Sequence, residues 1–322
     1  MADVTDAAYR RIIAKYGKPQ VMYTEFVSCD GLMSEKGRPN LLRDLWYDES
    51  ERPIVAQIFG ENPDNFYKCA QFLVGLGFDG IDINMGCPTQ TVCDQEAGAY
   101  LIKRPEIAKE VIAATKAGAG DIPISVKTRI GYSAIQLEEW LGCLLEAKPA
   151  AIALHLRTRK EMSKVPAHWD QGRTAVVLAK ESGTLLIGNG DVKNLTQARE
   201  LARGSGMDGV MLGRAIFGNP WLFDETRRPE DISIKERLAT MVEHATLYEE
   251  LFAGKKPFLL MRKHLQAYCA GFRGAKDFRV GLQSINCAQD VIDAVTAFRL
   301  CLDGAPLEPP TPLAPLASAA SI

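Results

Sequence analysis

Seven short apolar runs recur along the first two thirds of the chain, and helical patterns separate most of them. The runs are Gln20–Thr24, Ile54–Ile58, Gly80–Asn84, Ile122–Lys127, Ala150–His155, Leu185–Gly188 and Gly209–Leu212. Short β-branched runs bounded by turn residues read as buried strands. Between them lie helical patterns over Asn62–Leu76, Pro105–Ala117, Ile135–Glu146, Thr174–Glu181 and Leu195–Arg203, and an earlier one over Ala7–Lys15 that Thr5 or Asp6 can cap. Asn62-Pro63 supplies a cap followed by proline at the first helical position. Parallel strands need long crossovers, so this alternation predicts an α/β fold with a parallel sheet. An eighth strand is expected at or before Met1. The predicted architecture is a TIM (β/α)8 barrel followed by a small C-terminal helical domain.

The rival is a doubly wound sheet, which carries a glycine fingerprint after its first strand. None occurs there. The one GxGxxG, Gly204–Gly209, precedes a strand instead of following one and reads as a helix-to-strand turn. Beyond Trp221-Leu222-Phe223 the pattern is helical, with Ile234–Phe252, Pro257–Ala270 and Val280–Arg299 as its segments. The expected division is a barrel over 1–226, a helical domain over 227–303 and a disordered Pro- and Ala-rich tail over 304–322.

With 322 residues, 47% hydrophobic and 24% charged, the chain has the make-up of a soluble globular protein. A formal net charge of -2 argues against bulk electrostatic attraction to nucleic acid but leaves room for a local basic patch. Eight cysteines are scattered with no CxxC pair and no zinc-type spacing with histidine, so no metal site is expected. No signal peptide or long apolar run is apparent; a reducing cytoplasm and no membrane association are the expectation.

In a barrel of this kind chemistry sits at the C-terminal ends of the strands. The residues there are Gln57, Asn84, Lys127 with Arg129, His155 with Arg157, Asn189, and Gly213 with Arg214. Polar groups at six successive strand ends imply a polar ligand, because buried polar groups cost free energy unless paired. Within GIDINMGCP the Met85–Pro88 turn presents Cys87 at one such lip. A lone cysteine is more often a small buried hydrophobe; the flanking Asn84 and the Gly-Cys-Pro turn favour a functional thiol. Asn189-Gly190-Asp191 and Gly213-Arg214 follow the last two strands, where barrels build phosphate sites from loop amides. Arg214 can grip phosphate bidentately, and Lys127 adds positive charge. These residues alone do not separate FMN from a sugar-phosphate substrate.

The motifs MADVTDAAYR, PIVAQIFG, GFDGIDINMGCP, AGAYLIKRPE, SVKTRIGY, ALHLRTR, IGNGDV and DGVMLGRAIFGNPWLF cover nearly the whole chain in order. In this set the sequence resembles the tRNA-dihydrouridine synthases, flavin enzymes that reduce uridines in tRNA. The resemblance implies that Cys87 gives a proton to C5 of uracil while reduced flavin gives hydride from N5 to C6. It implies FMN held by Met1, Ala2, Gln57, Lys127, His155, Asn189, Gly190, Asp191, Gly213 and Arg214. Asn84 and Arg129 are expected to face the flipped uracil, with Arg157 on the same substrate side. NADPH is the implied reductant; it reduces the flavin and leaves, in keeping with the missing Rossmann motif. Three departures from the family pattern stand out: the chain starts at the opening motif, which leaves the first strand short; the loop Thr89–Glu96 lacks basic residues; and Leu156 stands where glycine is usual.

The helical domain is expected to contact tRNA. Lys255, Lys256, Arg262, Lys263, Arg273, Lys276 and Arg279 face only Asp277 in the same stretch, with Tyr268, Phe272 and Phe278 interleaved. A solvated face over core aromatics explains the same residues. Two other functions fit: an FMN oxidoreductase acting on a small-molecule pyrimidine, or a catalytically impaired tRNA-binding homologue. A monomer is expected.

Overall fold

The computed structural model describes residues 1–302, and for residues 300–302 the backbone alone. The tail expected over 304–322 lies outside the described residues. All seven predicted strands form, with ends shifted by at most four residues: β1 Met22–Ser28, β2 Ile54–Phe59, β3 Gly80–Met85, β4 Ile124–Arg129, β5 Ala151–His155, β6 Leu185–Asn189 and β7 Gly209–Met211. They make one sheet in the order β1 to β7, every neighbouring pair parallel. A doubly wound sheet reverses its strand order part-way; this sheet never does, so that alternative is excluded. Among the described residues there is no eighth strand, so β1 and β7 form the two edges.

The core explains the period. Ile54, Ala56, Ile58, Ile81, Ile83, Val126, Ile152 and Leu154 are all fully buried. The helices of this part are α2 Cys29–Met33, α3 Arg38–Leu41, α4 Pro63–Gly75, α5 Gln90–Cys93, α6 Pro105–Ala119, α7 Leu137–Glu146, α8 Gln171–Ala179 and α9 Leu195–Ser205, following α1 Ala7–Tyr16. In α4, Phe66, Cys69, Ala70 and Leu73 recur at helical spacing and are buried. Each large side chain so placed contributes about 1.5–3 kcal/mol. The Asn62 carboxamide caps α4 by accepting from Asp64 N at 2.9 Å, with Pro63 behind it. Helix α9 ends on Gly206 in the left-handed region, φ 81°. The GxGxxG is therefore a helix terminator.

The chain divides into two compact units. The first comprises Met1, Val21–Trp46 and Arg52–Ala215 and holds the sheet; the second comprises Ala2–Gln20, Tyr47–Glu51 and the chain from Ile216 onward. Residues 2–20 thus group with the helices, whereas the sequence suggested one boundary near residue 226.

The second unit contains α1, α10 Ile234–Phe252, α11 Arg262–Tyr268, α12 Ala275–Gly281 and α13 Ala288–Leu302. The Ile234–Phe252 segment forms as expected. The other two expected segments are broken: a 3-10 turn over Phe258–Met261 precedes α11, and Leu282–Ser284 separates α12 from α13. The Asp290 carboxylate accepts from Asn286 N at 2.8 Å, which closes the chain before α13. Tyr9, Ile12 and Ile13 of α1 are buried in this unit, and Tyr9 stacks on His244 with 4.7 Å between centroids. The Arg10 guanidinium pairs with the fully buried Glu51 at 2.5 Å.

Candidate active site

Strand β3 is buried along its whole length. Its apolar side chains, Ile81, Ile83 and Met85, fill the core, so Asp82 and Asn84 need hydrogen bonds on the other face. Asp82 Oδ2 accepts from Gln57 Nε2 at 2.7 Å, and Oδ1 accepts from Ser125 Oγ at 2.5 Å. Gln57 Oε1 accepts from Asn84 Nδ2 at 3.0 Å. Asn84 Oδ1 accepts from Gly86 N at 3.1 Å and Cys87 N at 2.9 Å. Burial pushes the Asp82 carboxyl up to about 6, against the pull of the Ser125 and Gln57 hydrogen bonds and the charge of Lys127. The sequence pointed to Gln57, Asn84 and Cys87 but missed Asp82.

Cys87 is 8% exposed. Its Sγ lies 3.2 Å from Thr89 Oγ1, and its surroundings are Val92 and Ala97 with Phe26 and Phe59 packed against them. The Cys87 carbonyl accepts from Ala99 N at 3.0 Å, which ties the turn to the residues after α5. Gly98, at φ +60°, comes so close that a Cβ there would meet Cys87 O at 3.0 Å. Only glycine allows that approach without strain.

A cationic cluster occupies the ends of β4, β5 and β6. In register, Asn84 pairs with Lys127, Arg129 with His155, and His155 with Asn189. Lys127 Nζ donates to Asn189 Oδ1 at 3.2 Å, and Asn189 Nδ2 donates to Met211 O at 2.8 Å. Burial, and then the charge of Arg129, bring the Lys127 ammonium down to about 8. Burial, and then Arg157, bring Arg129 down to about 10. Arg157 is buried; it donates to Val165 O at 2.6 Å, pairs with Asp191, and lies 3.2 Å from His155 Nε2. Arginine cannot accept, so His155 Nε2 is the acceptor and the imidazole proton sits on Nδ1. Burial, followed by four neighbouring cations, keeps His155 neutral by pushing it down to about 2.

Asp191 is the carboxylate of this cluster. It takes Arg157 on one oxygen and Arg214 Nη2, at 2.9 Å, on the other. Burial raises its carboxyl, but the Arg157 hydrogen bond, the Ala167 amide and both arginine charges outweigh that and hold it below the usual range. Lys127, Arg129, Arg157, Arg159 and Arg214 outnumber the carboxylates that act on them, Asp82, Glu161 and Asp191, and leave a local excess of positive charge.

The other expected residues are placed as follows. Gly190 has φ +133°, and a Cβ there would meet the Ala167 Cβ at 2.6 Å. A Cβ on Gly213 would lie 3.8 Å from Met1 Sδ, so those two adjoin. Ala2 is exposed and groups with the helical unit. Arg129 Nε donates to Gly86 O at 2.8 Å, and Nη1 to Thr158 O at 3.0 Å and Met162 O at 2.9 Å. Arg262 donates to Ile285 O at 3.1 Å and Asn286 Oδ1 at 3.0 Å, while Lys256 sits 5.1 Å from the Phe252 ring centroid. Lys255 is exposed and Lys263 half-buried; all four belong to the helical unit. Trp169 was missed: its Nε1 donates to Gly190 O at 2.9 Å, and a Cβ on Gly188 would strike its ring at 2.5 Å. Leu156 is fully buried. Among the described residues no group of His, Cys, Asp and Glu could hold a metal ion, and no helix is long and apolar enough to cross a membrane.

Fold and site together define a parallel α/β protein with a thiol and a cationic cluster at its strand ends. A model of the dihydrouridine synthase family, "Dihydrouridine synthase (Dus)", matches residues 1–300. A Bacillus subtilis (strain 168) protein named "Probable tRNA-dihydrouridine synthase 2" is 38% identical over 94% of this chain and 94% of its own. A Staphylococcus epidermidis "Probable tRNA-dihydrouridine synthase" is 38% identical over 92% of each chain. The solved structure of morphinone reductase in complex with tetrahydroNAD aligns at a TM-score of 0.49 and 13% identity, covering 69% of this chain and 82% of that one. The chain belongs to the dihydrouridine synthase family.

Proposed function

We propose that the protein is a tRNA-dihydrouridine synthase that reduces the C5–C6 bond of uridines in tRNA, with FMN bound and NADPH as the reductant. Bound FMN supplies the hydride that C6 receives. The observation that carries this reading is the Cys87 thiol at the lip of β3, next to a cluster of cations with few carboxylates. Such a cluster suits an anion. Lys127, Arg214 and the proton on His155 Nδ1 are its donors, and Asn189, Gly190, Asp191, Gly213, Gln57 and Met1 frame it. The residues therefore fit a phosphate-bearing flavin.

Cys87 gives the proton to C5 in this reading. Cys87 is almost wholly buried among apolar groups, which limits the access of bulk water to it until the base arrives. Asn84 and Arg129 adjoin its turn, and with Arg157 they are read as the substrate side. The target base must leave its stack to reach such a site. The sheet is read as most of a TIM barrel over residues 1–226, the helices over 227–303 as the tRNA-binding domain, and the protein as a cytoplasmic monomer. Lys255, Lys256, Arg262 and Lys263 would meet phosphates there.

The test is Cys87→Ala. It is expected to keep the flavin spectrum and its bleaching by NADPH, and to lose dihydrouridine formation by a factor of roughly 10² to 10⁴. Full activity in this variant would remove Cys87 from the reaction.

A further inference from the structure

The hydrogen-bonded chain that begins at Asp82 lies outside the chemistry above, yet it runs through two residues of the site and ends on the Cys87 amide. An ionised carboxylate only accepts. Asp82 takes Ser125 Oγ on one oxygen and Gln57 Nε2 on the other. With its nitrogen committed, Gln57 can offer Asn84 only its oxygen, and Asn84 Nδ2 donates to it. Asn84 is then left with its own oxygen toward the turn, where the amides of Gly86 and Cys87 donate. Turning either carboxamide over would set N–H against N–H. Gln57, Asp82, Asn84 and Cys87 are all buried, so such a mismatch is costly. The residue at the head of the chain is the one that cannot be inverted, because a carboxylate has no donor face.

We propose that Asp82 is a positioning residue: its carboxylate sets the orientation of the Gln57 and Asn84 amides and, through them, holds the turn that carries Cys87. Its effect on turnover rests on the reading of Cys87 as proton donor; its effect on the thiol's position does not.

The experiment is the rate of Cys87 alkylation by iodoacetamide in the full-length protein, located by peptide mass, with dihydrouridine formation measured in parallel. Asp82→Leu removes the acceptor in a similar volume. It is expected to raise Cys87 alkylation roughly tenfold, the size of one lost charged hydrogen bond. The exchange Asp82→Asn with Gln57→Glu places amide and carboxylate the other way round. Ser125 can still donate to residue 82, residue 82 to residue 57, and Asn84 to residue 57, so alkylation is expected to return to the parent rate. Parent-like alkylation in folded Asp82→Leu overturns the proposal, as does an exchanged pair that alkylates as fast as Asp82→Leu. If Asp82→Leu does not fold, Gln57→Glu alone takes its place. Faster alkylation there, reversed by adding Asp82→Asn, supports the proposal, and failure to reverse overturns it. An unmodified protein that forms no dihydrouridine defeats the proposed function and leaves the alkylation result intact.

Discussion

At the scale of single residues, two positions separate structural need from ligand need. Gly190 sits in a backbone region that side chains rarely adopt, with the Ala167 Cβ 2.6 Å from where its own would be. Gly190→Ala is expected to cost about 2–5 kcal/mol from strain and overpacking together, read as a fall in thermal midpoint. Lys127 tests the opposite case. Its ammonium titrates near 8, so it loses charge as pH rises through that value. FMN affinity, followed by flavin fluorescence, is expected to fall from pH 7 to 9 in the parent. Lys127→Met is expected to weaken binding roughly tenfold to a hundredfold at pH 7 and to abolish that slope. Cys87 and the strand-end polar residues were legible because a period of two, broken by Gly-Cys-Pro, marks both a strand and its end. Asp82 was not. Ile-Asp-Ile in isolation reads as a strand with one exposed face, and only the sheet shows that this face is buried and that Ser125 and Gln57 are near.

At the scale of elements, the packing of α1, α10 and α11 carries a pH dependence. His244 and His264 are buried among Tyr9, Tyr268 and Phe217, with 5.0 Å between the two imidazole centroids. Burial, and then the mutual charge, hold His244 well below its ordinary range. Burial brings His264 down to about 3. Unfolding lets both bind protons near 6.5, so the unfolded state gains protons first as acid is added. The stability they support is complete above pH 6.5 and is lost as pH falls toward 3. Each contributes at most about 1.4 kcal/mol per pH unit in that window. Urea midpoints are expected to drop between pH 7 and 5, and His264→Phe is expected to flatten that drop by about half. A flat profile in the parent would show that the imidazoles titrate normally. No local sequence pattern could bring these two histidines together with Tyr9, which lies far earlier in the chain. Element ends were legible where a cap marked them, as at Asn62-Pro63. The break at Leu282–Ser284 was not, because Leu282 and Ile285 continue the apolar rhythm across it.

At the scale of the whole molecule, a chain of net charge -2 must attract RNA through a patch, since its overall field will not. Replacing Lys255, Lys256 and Lys263 by alanine is expected to weaken tRNA binding and to reduce the salt dependence of log affinity by roughly 2 to 3. Flavin reduction by NADPH is expected to stay at the parent rate. Filter binding at low and moderate salt reads the first, and anaerobic bleaching the second; unchanged affinity at both salts would move the RNA site elsewhere. The parallel sheet was legible from alternation alone. The make-up of the second unit was not, because it joins segments far apart in sequence. Helix α1 is made well before α10 and α11, yet Tyr9 is covered by residues of those two helices. At ordinary synthesis rates that cover arrives roughly 10 to 50 s later. Throughout that interval the apolar side of α1, with Tyr9, Ile12 and Ile13, waits without its partners. A ribosome-bound chaperone that shelters greasy nascent segments would find its natural client there, and the final yield of active protein should fall when such a chaperone is withdrawn.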